Sequence, residues 1–281
     1  DQGILPDVLE NEIQNLKDQK KNIKGIYVVP VGANPSGTVM SKQRCTEIYA
    51  IAKKYGLFII EDAAYDWLQY SGDRKIQQVP GLRFGGFLPM DTDGRVLRLD
   101  TVSKFLAPGL RSGWMTGSPG FLSHFQKLSA LSTHSGSAIN QSIVFNLLAE
   151  WGDQGLQDHV IKLQTKYQER RNIVYDACQE HLKGLAVWKL PTAGMFFWIR
   201  ECGSKDTSTA ISSLIKHGVL VVPGEIFKAD EQDPKSPYFR LSFSYASAED
   251  LVLGVQKLAK VLQSRRDTSD KDELDASVQV E

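Results

Sequence analysis

Gly25-Ile26-Tyr27-Val28-Val29-Pro30 reads as a buried β-strand, and the turn residues Asn34-Pro35-Ser36-Gly37 stop it. Ser41 then offers a helix cap, and Ile48, Ile51, Ala52 and Tyr55 fall on one helical face. Gly56 ends that helix, and Leu57-Phe58-Ile59-Ile60 follows as a continuous apolar strand closed by Glu61 and Asp62. Strand, helix and strand at this spacing make a βαβ unit, because parallel neighbours need a crossover of about a dozen residues or more. A parallel sheet buries both faces under helices, so the fold class is α/β.

Working outward, Arg95-Val96-Leu97-Arg98-Leu99-Asp100 alternates and is β-favouring. Just past its end comes Ser103-Lys104-Phe105-Leu106-Ala107-Pro108-Gly109-Leu110-Arg111-Ser112-Gly113-Trp114, with a lysine and an arginine separated by small and turn-forming residues. Ligands of open α/β sheets bind beyond the carboxyl ends of the strands, and Asn34, Asp62 and Lys104 all follow strand ends. A lysine there can attack a carbonyl, and a nearby arginine can grip a phosphate. The pairing points to a lysine that binds pyridoxal phosphate as a Schiff base, against the alternative of a solvated loop lysine. Asp62 ends an apolar strand, where a carboxylate needs a cationic partner such as a protonated pyridine nitrogen. Tyr65 and Asn34 can donate to the ring oxygen, or serve as packing and turn residues. Thr101, Ser103 and Arg111 can gather around a phosphate. Arg240, in Tyr238-Phe239-Arg240-Leu241-Ser242-Phe243, lies opposite Phe239, Leu241 and Phe243 on an alternating strand. It can clamp a carboxylate or face solvent.

The later half changes pattern. Gly152 to His181 reads as a long charged helix. Strands are expected at Leu185–Leu190, Met195–Arg200, Val219–Val222 and Tyr238–Phe243, and helices at Thr207–His217 and Ser247–Gln263, the last capped by Ser247. Residues 1–150 are expected to form a partial cofactor-binding large domain and 151–263 a smaller α+β domain with its linking helix. Residues 264–281 are expected to be a disordered acidic tail.

The chain has 281 residues and zero formal net charge, which argues against a general affinity for nucleic acid or anionic membrane. No segment has the length and apolarity of a membrane span. Cys45, Cys178 and Cys202 are too few and scattered for a disulfide framework or a metal cluster, so a reducing, cytoplasmic setting is expected. Asp1-Gln2-Gly3-Ile4 lacks a positive region followed by an apolar stretch, so no signal peptide is expected in this stretch, and without an initiator methionine the chain is expected to begin within a longer gene product.

Four segments together resemble the fold-type I pyridoxal-phosphate aminotransferases of class I/II. They are Asn34-Pro35-Ser36-Gly37, Glu61-Asp62-Ala63-Ala64-Tyr65, Ser103-Lys104 with Arg111, and Phe239-Arg240-Leu241-Ser242-Phe243, in the family's order. Tyr65-Asp66-Trp67-Leu68-Gln69-Tyr70 and Gly109 to Trp114 are most similar to the aromatic, kynurenine and 2-aminoadipate branch. The resemblance implies a three-layer αβα domain with a mostly parallel sheet, a smaller C-terminal domain and pyridoxal 5'-phosphate as cofactor. It implies amino acid and 2-oxo acid substrates and a homodimer. By it, Lys104 carries the cofactor and Asp62 pairs with the pyridine nitrogen. Tyr65 and Asn34 hold the ring oxygen, Thr101, Ser103 and Arg111 hold the phosphate, and Arg240, with Asn34, binds the substrate. It extends over the later part of the family's subunits, so an N-terminally truncated form is expected. Alternatives are the ligand-sensing half of a GntR-type transcription regulator, a lyase or decarboxylase on the same scaffold, and an inactive fragment.

Overall fold

The computed structural model describes residues 3–70, 85–229 and 233–278. Its Cα packing divides into two units, one comprising Asp1–Asn34, Thr38–Thr165 and Thr192–Gly194, the other Pro35–Gly37, Lys166–Pro191 and Met195–Glu281.

The first unit is built on a four-stranded sheet of β1 (Gly25–Val28), β2 (Phe58–Asp62), β3 (Val96–Thr101) and β4 (Gly113–Thr116), in that order. The first three strands are parallel and β4 runs antiparallel to β3. Between β1 and β2 lies α2 (Lys42–Tyr55), so the expected βαβ unit is present. Ser41 Oγ accepts the Arg44 amide at 3.1 Å, and Gly56 closes α2 at φ 66°, a left-handed position that suits glycine. α1 (Pro6–Asp18) lies beside α2 on one sheet face, where Ile13, Ile26, Val28, Ile48, Ala52, Ile59 and Val96 form the core. Phe58 points to the opposite face and meets Phe121 of α3 (Pro119–Leu131) edge-on at 4.5 Å between ring centres. Helices on both faces give the αβα layering.

β1 differs from the expected buried strand: Ile26 and Val28 are buried, but Tyr27 is 60% exposed. Alternation along a strand sends Tyr27 to the face opposite the α1/α2 core. α4 (Ala138–His181) is broken at Gly152, whose φ 57° and ψ −171° leave the helical region. The part before the break was not legible as helix. It supplies Val144 to a cluster with Trp67, Val102, Phe105 and Val160. A short segment from far along the chain also belongs to this unit. Gly194 donates to the Leu68 carbonyl at 2.8 Å, and Tyr70 donates to the Thr192 carbonyl at 2.8 Å and through its hydroxyl to Gly194. A Cβ on Gly194 would lie 2.8 Å from the Gly32 carbonyl oxygen, so glycine is required for the two backbones to meet.

On the α1/α2 face, Arg98 is surrounded by three carboxylates. It donates to both oxygens of Asp100 at 2.9 Å, to Asp66 Oδ2 at 2.7 Å and to Glu61 Oε1 at 3.0 Å. Glu61 also accepts the amides of Phe87 at 2.7 Å and Leu88 at 2.9 Å. All four charged side chains are buried, and Asp66 Oδ1 has no hydrogen-bond partner among the described residues. Burial, offset in part by Arg98 and reinforced by Glu61 and Asp100, pushes the Asp66 carboxyl from 3.8 up to about 6. The folded protein therefore holds this proton more tightly than the unfolded chain. Stability from this group is full below about pH 4 and is lost as pH rises through 6, by roughly 3 kcal/mol. Asp66→Asn, which cannot ionise, is expected to flatten denaturant-measured stability between pH 4 and 7. An unchanged slope in that variant would assign the dependence elsewhere.

The second unit has an antiparallel sheet in the order β5 (Ala186–Trp188), β6 (Phe196–Glu201), β8 (Tyr238–Ser242), β7 (Val222–Pro223). α5 (Ser208–Lys216) packs against α6 (Ala248–Val278), and Phe197, Ile199, Phe239, Phe243, Val255 and Leu258 are fully buried. This is the α+β pattern expected of the later half. Ser247 Oγ accepts the Asp250 amide at 3.0 Å, the expected cap, and donates to the Asp250 carboxylate at 2.9 Å. α6 is helical to Val278, where the sequence reading has helix only to Gln263 and a disordered tail beyond. Bonds at helical spacing, such as Gln263 to Asp267 at 2.7 Å, support the extra turns, as does Arg265 reaching Glu201 at 2.9 Å. Residues 279–281 of that expected tail lie outside the described residues.

Candidate active site

Asp62 and Thr101 are the last residues of the adjacent parallel strands β2 and β3, so both stand at the carboxyl edge of the sheet. Pleating decides which way each carboxylate of Glu61-Asp62 points. Glu61 turns into the Arg98 cluster, and Asp62 turns to the half-buried opposite face. Asp62 Oδ1 accepts the Ala64 amide at 3.1 Å and Oδ2 accepts the Tyr27 hydroxyl at 2.6 Å. Tyr65, three residues on, is buried in the turn after β2, and the Lys104 ammonium lies 5.7 Å from its ring centre. That contact is a cation–π approach and draws the lysine toward the β2 edge rather than into open solvent.

The turn after β3 gathers donors. Thr101 Oγ1 accepts the Ser103 amide at 3.1 Å and donates to Ser103 Oγ at 2.9 Å. Arg111 Nη1 donates to Ser103 Oγ at 3.3 Å and to the Pro108 carbonyl at 3.2 Å. Arg111 has φ 44° and ψ 38°, a left-handed backbone uncommon for a non-glycine residue. The short helix Pro108–Leu110 ends in this turn, and the turn brings the guanidinium back over Ser103. Two hydroxyls and one exposed guanidinium thus share a patch beside Lys104, a donor set suited to a phosphate.

Asn34 is exposed in the turn after β1 and belongs to the first unit; Pro35–Gly37 belong to the second. Arg240 also belongs to the second unit. It sits on β8, between Trp198 of β6 and Val222 of β7, and is half-buried rather than solvent-facing. Its guanidinium lies 4.3 Å from the Phe196 ring centre and 5.0 Å from that of Phe227. Two rings hold the side chain while its fork remains planar and directional. The structure therefore brings Lys104 to Tyr65, and Thr101 and Ser103 to Arg111, within one unit.

Tyr27 is the residue the sequence reading missed. A signal was available, because the parallel pairing of β1 and β2 puts Tyr27 beside Ile60, diagonal to Asp62 on the same face. A tyrosine interrupting an Ile/Val strand at that position could have been marked.

Residues 1–258 match the family model "Aminotransferase class I and II". The mitochondrial kynurenine/alpha-aminoadipate aminotransferase of Bos taurus is 38% identical over 268 residues, which cover 93% of this chain and 61% of that protein. An aromatic amino acid aminotransferase of Schizosaccharomyces pombe is 32% identical, with 93% and 59% covered. Among solved structures, the kynurenine aminotransferase of Pyrococcus horikoshii superposes with a TM-score of 0.84 at 30% identity, covering 94% of this chain and 62% of that one. The chain thus spans about three-fifths of the length of these relatives. They are enzymes, and nothing in them supports the transcription-regulator reading. With the family model matched over most of the sequence and the fold shared, this chain belongs to the class I and II aminotransferases.

Proposed function

We propose that this chain is the later part of a pyridoxal-phosphate-dependent aminotransferase. It would move an amino group between an amino acid of aromatic, kynurenine or 2-aminoadipate type and a 2-oxo acid. The observation that carries this reading is the donor set at one sheet edge. Lys104 stands over Tyr65, beside the linked side chains of Thr101, Ser103 and Arg111, and Asp62 ends the neighbouring strand. That set fits the cofactor: a nucleophilic nitrogen, an acceptor for a ring N–H, and hydroxyl and guanidinium donors for a dianionic phosphate.

When bound, the cofactor supplies a reactive carbonyl and a protonated ring that withdraws electrons from the substrate's α-carbon. Lys104 would hold the cofactor through Nζ, and the same amine is the group that would carry the proton taken from the substrate's α-carbon. Asp62 would accept the ring N–H. Tyr65 and Asn34 would donate to the ring oxygen, and Thr101, Ser103 and Arg111 would hold the phosphate, so the reacting bonds would keep one orientation. Arg240 would clamp the substrate carboxylate. Losing that clamp in Arg240→Ala is expected to lower kcat/KM by roughly 10–100-fold while cofactor affinity stays unchanged. Loss of cofactor binding instead would move Arg240 out of the substrate role.

The family likeness also supports a homodimer, and Leu128, Leu131, Ile139 and Phe145, exposed on α3 and α4, are available to an interface. Among the described residues no helix is long and apolar enough to cross a membrane. Two of the three cysteines are buried free thiols, which fits a reducing, cytoplasmic setting. The direct test supplies pyridoxal phosphate, 2-oxoglutarate and, in turn, tryptophan, kynurenine and 2-aminoadipate, and measures glutamate. Glutamate formation with one of them supports the reading. Binding of cofactor without glutamate points to an inactive fragment, and release of carbon dioxide or ammonia points to a lyase or decarboxylase.

A further inference from the structure

The short contact between Tyr27 and Asp62 lies at the proposed ring-binding edge, and none of the roles above uses it. Tyr27 reaches Asp62 across the sheet, from one strand to the end of the next, and its hydroxyl donates at 2.6 Å. That distance is typical of a hydroxyl donating to a carboxylate and is stronger than a neutral pair. Partial burial, and then the Asp62 carboxylate, raise the phenol to about 12, so Tyr27 remains a donor throughout the neutral range. The Ala64 amide takes the other oxygen. A carboxylate offers about four acceptor sites, and these two donors, one on each oxygen, fix the plane in which the rest point.

We propose that Tyr27 is a positioning residue for the ring nitrogen site: it holds the Asp62 carboxylate at a fixed angle, so that its remaining lone pairs accept the N–H of a pyridinium ring. The inference rests on the reading of Asp62 as the ring-nitrogen partner. It adds that the orientation of Asp62 comes from the neighbouring strand, not from its own turn alone. Tyr27 acts through Asp62.

Tyr27→Phe keeps the ring and removes the donor. Tyr27 is largely exposed, so the fold is expected to persist, as thermal unfolding will verify. Two measurements test the proposal. In cofactor-free protein with 13C-labelled tyrosine, Asp62→Asn is expected to bring the Tyr27 titration down from about 12, which reports the contact without any cofactor. With pyridoxal phosphate labelled with 15N in the ring, Tyr27→Phe is expected to weaken affinity roughly tenfold and to move the ring-nitrogen resonance toward its unprotonated position. An unmoved Tyr27 titration overturns the contact. Wild-type affinity and an unmoved ring resonance in Tyr27→Phe overturn the positioning role while leaving Asp62 as partner. An unprotonated ring nitrogen in wild type overturns the Asp62 reading and the proposal with it.

Discussion

Replacing Lys104 by alanine is expected to lower amino-group transfer by about 10³-fold or more, the scale of losing both an attachment point and a positioned base. Lys104→Arg is the sharper variant. It keeps a cation over the Tyr65 ring and so preserves the local contact, but it offers no nucleophilic nitrogen at neutral pH. Both variants are expected to lose transfer together while unfolding at wild-type temperatures. Retention of more than a tenth of the activity in either would show that another lysine does the chemistry.

The second large effect is on stability. Arg98→Met is expected to cost about 3–5 kcal/mol or more, because it strands Glu61, Asp66 and Asp100 without their guanidinium. Against a typical total stability of about 5–15 kcal/mol, that loss brings the protein close to unfolding. Asp100→Asn leaves Arg98 two carboxylates and is expected to cost much less. The same reasoning applies to Gly86, where a Cβ would come 2.1 Å from Glu61 Oε1 and push the carboxylate off Arg98. Urea midpoints for the two variants give the order. If Arg98→Met unfolds within 1 kcal/mol of wild type, the cluster does not hold this unit together.

What the sequence made legible is what is local. Thr101, Ser103, Lys104 and Arg111 share one turn, so a strand end and a few turn residues were enough to group them. The α2 caps and the antiparallel strands of the second unit carried signals of the same short range. Long-range arrangements were not legible. The alternation of Arg98 and Asp100 looks like a solvated strand face, and only strand pairing and the turn after β2 turn it into a buried four-charge cluster. Tyr27 gains a partner only through the register of β1 on β2. β4 is short and exposed at every residue, so it lacks the burial alternation that marks a strand. Arg240 was correctly set on a strand, but its neighbours Phe196 and Phe227 come from other parts of the chain.

Lys104 is proposed above as the residue to which the cofactor attaches. Incubation with pyridoxal phosphate, reduction with borohydride, proteolysis and mass spectrometry identify the attachment point. A pyridoxyl group is expected on the peptide containing Lys104, and is expected to disappear in Lys104→Ala. A pyridoxyl group on a different lysine, or an unmodified Lys104 at saturating cofactor, would rule that residue out.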